Sequence, residues 1–399
     1  MSDFVLHNAR VILPDRVVHG GIVARGGRIV QVFTEDSKPA GMEAVDRLDA
    51  GGRYLAPGFI DIHIHGSAGV DVQDTDKDGL TTLSRYLSDK GVIGYFATFV
   101  PADSSSLVAA LGRIASYAEN GDADGARILG VHFEGPFVSK KRCGALHVEH
   151  FKTYDGDPRS VDVFAGQVNR SGNRSADARL ITVAPELDGA ISLIQELTGR
   201  GVRCFIGHST ADPATLDQAA EAGARHITHF PNALEPLHHR RPGAVAWGLV
   251  RQDITMDCIA DFEHIDPLML RLMYKSKRAG MSLISDAIKP AGLGDGIYEV
   301  WGDQIEVRKG RTSLAADHTI PVEQRTIAGS VITMDQCVRN VMSLGVPLNE
   351  AVHMATLGPA SAAGIDSEYG SIEVGKRADL ILFGEDLSEI CPLLPASLT

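Results

Sequence analysis

The stretch Phe59-Ile60-Asp61-Ile62-His63-Ile64-His65-Gly66 alternates with a period of two: Phe59, Asp61, His63 and His65 fall on one side, Ile60, Ile62 and Ile64 on the other. That is strand spacing, with a fully apolar face for helices to cover and an opposite face ending in two imidazoles. The imidazoles stand about 7 Å apart along the strand. Such a pair suits a shared metal ion better than core packing. Hydrogen-bonded interior histidines are the competing reading, and a single His would favour it. The H-x-H pair at the end of a buried strand favours the metal.

Working outward, seven further strand-like runs follow, at 93–99, 128–134, 180–184, 202–208, 226–229, 255–260 and 282–286. Helical periodicity lies between most of them, at 78–90, 106–119, 190–200, 213–223 and 267–276. Eight β units with crossover helices predict an α/β fold, a closed TIM-like (β/α)8 barrel. Residues 4–7, 21–24 and 28–33 read as short strands joined by Gly-rich turns, and the tail from 369 to 383 reads the same way. Ends that are both β-like predict a small β-sandwich domain built from residues 1–56 and 366–399, around a barrel of residues 57–365. Residues 291–325 interrupt the last βα connection with a Gly-rich, hairpin-like stretch that reads equally as a lid or as an inert insertion.

A chain of 399 residues has room for such a barrel and a satellite. With 38 Lys and Arg against 51 Asp and Glu, a formal charge of −13 and no basic stripe, nucleic acid is excluded as the main partner. The five cysteines are odd in number, dispersed and without C-x-x-C spacing, which predicts reduced thiols in a cytoplasmic protein. Met1-Ser2-Asp3-Phe4 lacks the basic and apolar regions of a signal peptide. No run of about 18 apolar residues occurs, so no membrane span is expected. The expected partner is a small molecule.

Chemically useful groups fall at the C-terminal ends of the proposed strands, where barrel enzymes build their sites. His63 and His65 end the first, Glu134 the third, His208 the fifth, His229 the sixth and Asp286 the eighth. Imidazole and carboxylate ligands suit Zn²⁺ or a similar divalent ion, which acidifies a water at its open position. A neighbouring carboxylate can then take a proton from that water and return it to a leaving amine. Asp286 is the candidate for that work, with helix capping as its structural alternative. For Glu134 the alternative is a buried partner to His132.

These residues sit in motifs that resemble the amidohydrolase superfamily and, within it, the N-acetylglucosamine-6-phosphate deacetylases. The resemblance spans nearly the whole chain: Pro57-Gly58-Phe59 through Gly66, His132-Phe133-Glu134-Gly135-Pro136, Gly207-His208-Ser209, Thr228-His229 with Asn232-Ala233, Arg240-Arg241-Pro242-Gly243, Ser285-Asp286-Ala287, and Gly375-Lys376-Arg377-Ala378-Asp379-Leu380. It implies that Glu134, His208 and His229 bind the main metal, that His63 and His65 allow a second ion, and that Asp286 is the acid/base. Asn232, Ala233, Ala145 and Ile327 are implied to line the substrate pocket, Arg240 to hold the phosphate and His264 to contact substrate. A homodimer whose partner lends substrate-binding residues is implied as well. The fourth strand, 178–184, has no lysine to carry a carbamate between two metals, which argues against dihydroorotase-like and hydantoinase-like activities.

One departure stands out. The family carries Gly-Ala-His or Gly-Thr-His after the Glu-Gly-Pro segment, and that His contacts substrate. This chain reads Gly144-Ala145-Leu146-His147. Either a one-residue shift brings His147 to that position, or the pocket has exchanged a polar contact for an apolar wall. The expected reaction is hydrolysis of N-acetylglucosamine 6-phosphate to glucosamine 6-phosphate and acetate. Leu146 keeps open a different N-acyl substrate, another amino sugar or an N-acyl amino acid. A non-catalytic scaffold is the third reading, and retention of every ligand position argues against it.

Overall fold

The computed structural model describes residues 3–37, 46–120, 124–165, 178–316, 320–321 and 324–393. Parts of the predicted terminal domain (38–45, 394–399) and of the 291–325 insertion (317–319, 322–323) lie outside the described residues.

Eight parallel strands form the centre: β1 Phe59–Ile64, β2 Val92–Phe99, β3 Arg127–Glu134, β4 Ala178–Val183, β5 Arg203–Ile206, β6 His226–Ile227, β7 Thr255–Ile259 and β8 Met281–Ile284. Their order in the sheet is their order in the chain, and every neighbouring pair is parallel. The seam between β8 and β1 closes just past the strand ends. Asp286 N–H donates to His63 O at 2.9 Å, and His65 and Gly66 N–H both donate to Ala287 O at 2.8 and 2.9 Å. Below this, the Asp61 carboxylate accepts from Ser285 Oγ. Burial drives the Asp61 carboxyl up to about 6, although the hydrogen bonds from Ser285 and from His63 N–H oppose the shift. All of β1 is buried on both faces, the condition of a barrel strand coated by helices.

The helices start where local chemistry dictates. Asp76 accepts from Gly79 N–H at 3.0 Å to cap Lys77–Asp89. Asp212 and Asp266, each followed by a proline, cap Pro213–Ala222 and Pro267–Lys277. Helix Lys77–Asp89 buries Leu80, Leu83 and Leu87, spaced three and four apart.

Both termini contribute to one seven-stranded sheet made of Phe4–Ile12, Val17–Arg25, Arg28–Thr34, Asp46–Asp49, Tyr54–Pro57, Leu380–Phe383 and Cys391–Leu393. It has its own apolar core, including Phe4, Leu6, Ile22, Leu55, Leu380 and Leu382. In the tail only Leu380–Phe383 extends as a strand within the predicted 369–383. Gly370 and Gly375, at φ +89° and +95°, turn the chain where a strand is expected. The 291–325 insertion contains a three-stranded antiparallel sheet, Gly296–Val300, Asp303–Arg308 and Arg311–Leu314. A small core of Ile288, Val300, Ile305 and Ala328 joins it to the barrel, with Ala145 and Trp301 packed against it. No helix among the described residues is long and apolar enough to cross a membrane. The five cysteines are free.

Candidate active site

At the C-terminal mouth of the barrel two groups of buried ligand atoms meet: Glu134 with His208 and His229, and His63 with His65 and Asp286. In the first, Glu134 Oε1 is 3.0 Å from both His208 Nε2 and His229 Nε2, which are themselves 3.0 Å apart. In the second, His63 Nε2 and His65 Nε2 are 3.2 Å apart and lie 3.4 and 3.3 Å from Asp286 Oδ1. Glu134 Oε2 reaches 3.3 Å from His65 Nε2, so one carboxylate joins the two groups. Zn–N bonds of about 2.0–2.1 Å in a tetrahedron place ligand atoms about 3.3–3.4 Å apart. Both groups fit a divalent ion on that measure.

Hydrogen bonds behind the imidazoles fix which nitrogen faces the centre of each group. His208 Nδ1–H donates to Arg142 O at 2.7 Å, and His65 Nδ1–H to Thr98 O at 3.2 Å. A carbonyl only accepts, so Nδ1 carries the proton and Nε2 turns its lone pair inward. His229 is held from its backbone, where its N–H donates to Asp257 Oδ1. The Asp257 carboxylate is fixed in turn by His226 Nε2 at 3.0 Å. His132, by contrast, spends both nitrogens on structure. Nδ1–H donates to Ile62 O and Nε2 meets Thr182 Oγ1, both at 2.9 Å. It is therefore not the partner of Glu134, and burial, then the nearby His63, hold it neutral, well below the usual imidazole range.

Electrostatics agree with a cation-binding cluster. Burial disfavours a charged His65, yet Asp286 and Glu134 outweigh it and push the imidazole up to about 10. These carboxylates thus favour a positive charge on Nε2, a proton or, in its place, a divalent ion. Burial likewise opposes ionisation of Glu134, but His63, His208 and His229 hold its carboxyl well below the usual carboxylate range. The Asp286 carboxyl is lowered too, with His63 and His65 overcoming its burial. Backbone strain marks the same residues: His208, His229 and Asp286 have φ of +48°, +33° and +48°. Non-glycine residues rarely adopt that region, and it recurs where function requires it.

A cavity of about 270 Å³ opens over these ligands. Its walls bring together Ala145, Asn232, Ala233, His264 and Ile327 with His65, Glu134, His208, His229 and Asp286. Two residues from the sequence lie elsewhere. Arg240 lines a separate cavity with His238 and Arg241. His147 faces a neighbouring cavity and is bound to Asp303 Oδ2 at 2.9 Å. Leu146, not His147, contributes to the wall above the candidate metal ligands. Trp301 also lines this cavity, its ring edge-on to His65 at 5.0 Å. Sequence reasoning missed it, and its one signal was an aromatic residue before Gly302 in the Gly-rich insertion.

The amidohydrolase family model matches residues 54–395. The N-acetylglucosamine-6-phosphate deacetylase of Vibrio furnissii is 33% identical, over 96% of this chain and 92% of its own. The N-acetylgalactosamine-6-phosphate deacetylase of Escherichia coli O157:H7 is 34% identical over 84% of each chain. Among solved structures, a variant N-acetyl-D-glucosamine-6-phosphate deacetylase from Mycobacterium smegmatis, in complex with N-acetyl-D-glucosamine-6-phosphate, superposes with a TM-score of 0.83 at 29% identity, covering 97% of each chain. With the barrel, the converging ligands and these likenesses together, the chain belongs to the amidohydrolase family, metal-dependent enzymes that hydrolyse carbon–nitrogen bonds.

Proposed function

We propose that the enzyme deacetylates N-acetylglucosamine 6-phosphate, with Zn²⁺ as its ion, one in the Glu134 group and room for a second at His63 and His65. The observation that carries this reading is Asp286, ionised and buried, at the floor of a cavity that also presents Asn232 and His264. A divalent ion, when bound, polarises the acyl oxygen and acidifies the attacking water. Asp286 accepts the proton from that water and delivers it to the departing nitrogen. Glu134, His208 and His229 hold the ion, and the fixed Nδ1–H of His208 keeps its ring from turning. Asn232, Ala233, Ala145, Ile327 and His264 orient the sugar.

Arg240 is exposed, and among the described residues no carboxylate is paired with it. A guanidinium left open in this way offers paired donors to a phosphate. Because its cavity is separate from that over the metal ligands, we place it at the neighbouring site of a homodimer. Arg240→Ala is expected to raise KM for phosphorylated substrates tenfold or more, with unphosphorylated ones unaffected. Steady-state kinetics on both classes check this, and equal loss on both would make Arg240 structural. The free thiols support a reducing, cytoplasmic setting. The separate terminal core supports domains of 1–56 with 366–399, and 57–365.

Leu146 in the cavity wall, with the likeness to an N-acetylgalactosamine-6-phosphate deacetylase, supports a second reading in which another N-acyl amino sugar is preferred. Zinc-loaded protein assayed on N-acetylglucosamine 6-phosphate, its galacto epimer and unphosphorylated N-acetylglucosamine separates the two. Turnover of the glucosamine 6-phosphate derivative at the highest kcat/KM is expected. Preference for the epimer establishes the second reading, and silence on all three defeats both.

A further inference from the structure

Trp301 stands where a large side chain is unusual. With Gly302 it forms the two-residue loop between Gly296–Val300 and Asp303–Arg308, and the pair have φ of +55° and +89°. Loops of that type take Asn-Gly or glycine, because both residues need a positive φ. A bulky aromatic residue there is an outlier, and such outliers point to function. The tip is also pinned down. The indole N–H donates to Asp71 Oδ2 at 2.9 Å, and adjacent Asp303 Oδ2 meets His147 Nε2 at 2.9 Å.

Two cavities meet at this point. The one over the metal ligands, about 270 Å³, and a neighbour of about 330 Å³ share three residues as walls: Ala145, Leu146 and Trp301. The polar Asn232 and His264 line the first cavity and not the second. An N-acyl amide has one polar end, the amine side, and one apolar end, the acyl chain. Within the first cavity Asn232 and His264 offer polar partners to the amine side. The shared wall of Ala145, Leu146 and Trp301 is the apolar side that the acyl chain faces, with the charged Asp71, Asp74, Lys289 and Glu299 lying beyond it in the second cavity.

We propose that Trp301 is a specificity-determining residue that, with Leu146, closes the acyl side of the cavity and limits the length of acyl group the enzyme accepts. The inference rests on the reading that an N-acyl amide binds at the metal ligands, but not on the identity of the sugar. Its test therefore uses ligands without a sugar: straight-chain hydroxamates from acetohydroxamate to octanohydroxamate, bound to zinc-loaded protein and measured by calorimetry and thermal shift. Wild type is expected to bind acetohydroxamate best and to lose affinity with chain length. In Trp301→Ala the two cavities merge, and the octano-to-aceto affinity ratio is expected to rise at least tenfold. Leu146→Ala shifts it the same way, and Trp301→Phe stays near wild type. An unchanged ratio in a folded Trp301→Ala protein overturns the proposal. So does a wild type that binds long and short chains alike, or that binds no hydroxamate. If the length-dependent shift appears while no N-acetylated sugar phosphate is hydrolysed, the wall stands and only the sugar assignment falls.

Discussion

Asp286→Asn is expected to lower kcat by about 10²–10⁴-fold, the usual contribution of a positioned acid/base, while KM and the metal held by Glu134, His208 and His229 stay near wild type. The argument begins with the backbone. Asp286 sits at φ +48°, a region that asparagine tolerates better than almost any other non-glycine residue, so the substitution adds no strain. The amide oxygen can take the place of Oδ1, 3.3–3.4 Å from His65 and His63, so the shape of the site is preserved. What disappears is proton affinity. An amide cannot take a proton from water at neutral pH or return it to nitrogen. Saturation kinetics beside metal content by mass spectrometry check the point. A kcat within tenfold of wild type would remove Asp286 from proton transfer. A lost ion would instead make it chiefly a ligand.

The same positive φ explains how far the sequence could be read. The strand-like runs of the sequence reach His208, His229 and Asp286, so pattern alone extends the fifth, sixth and eighth strands over them. The strands end earlier, at Ile206, Ile227 and Ile284. At each of these three residues the backbone turns left-handed and leaves the ladder, which is what lifts the side chain to the mouth of the barrel. Position along the strand was legible, but the turn was not, because nothing in residue type demands it. The three-stranded insertion was legible only as a possible hairpin. Its purpose depends on where the tip lands, and the contacts of Trp301 with His65 and Asp71 span some 230 positions of chain. The separation of Arg240 from the metal cavity was hidden for the same reason: a motif gives neighbours in sequence, not which mouth they face.

Glu134 should prove the most sensitive ligand, because its carboxylate reaches imidazole nitrogens of both groups. Its Oε1 lies 3.0 Å from His208 and His229, and its Oε2 lies 3.3 Å from His65. Four buried imidazoles and two carboxylates surround the site. Removing one carboxylate halves the negative charge available to balance a divalent ion in a region shielded from water. Weakening even an outer-shell partner costs about 10–100-fold in metal affinity, so Glu134→Gln is expected to exceed about 100-fold and to abolish turnover. His208→Ala should empty its own group while leaving His63, His65 and Asp286 able to hold an ion. Metal-to-protein ratios after dialysis against a weak chelator therefore order the variants, with wild type above His208→Ala and Glu134→Gln lowest. The fall in Tm on metal removal should follow the same order, since an ion that binds only the folded chain stabilises it by mass action. If Glu134→Gln kept the full complement of metal, Glu134 would not be the bridge. Asp286 would then have to balance the imidazoles alone, and its freedom to exchange a proton, on which the whole mechanism depends, would be lost.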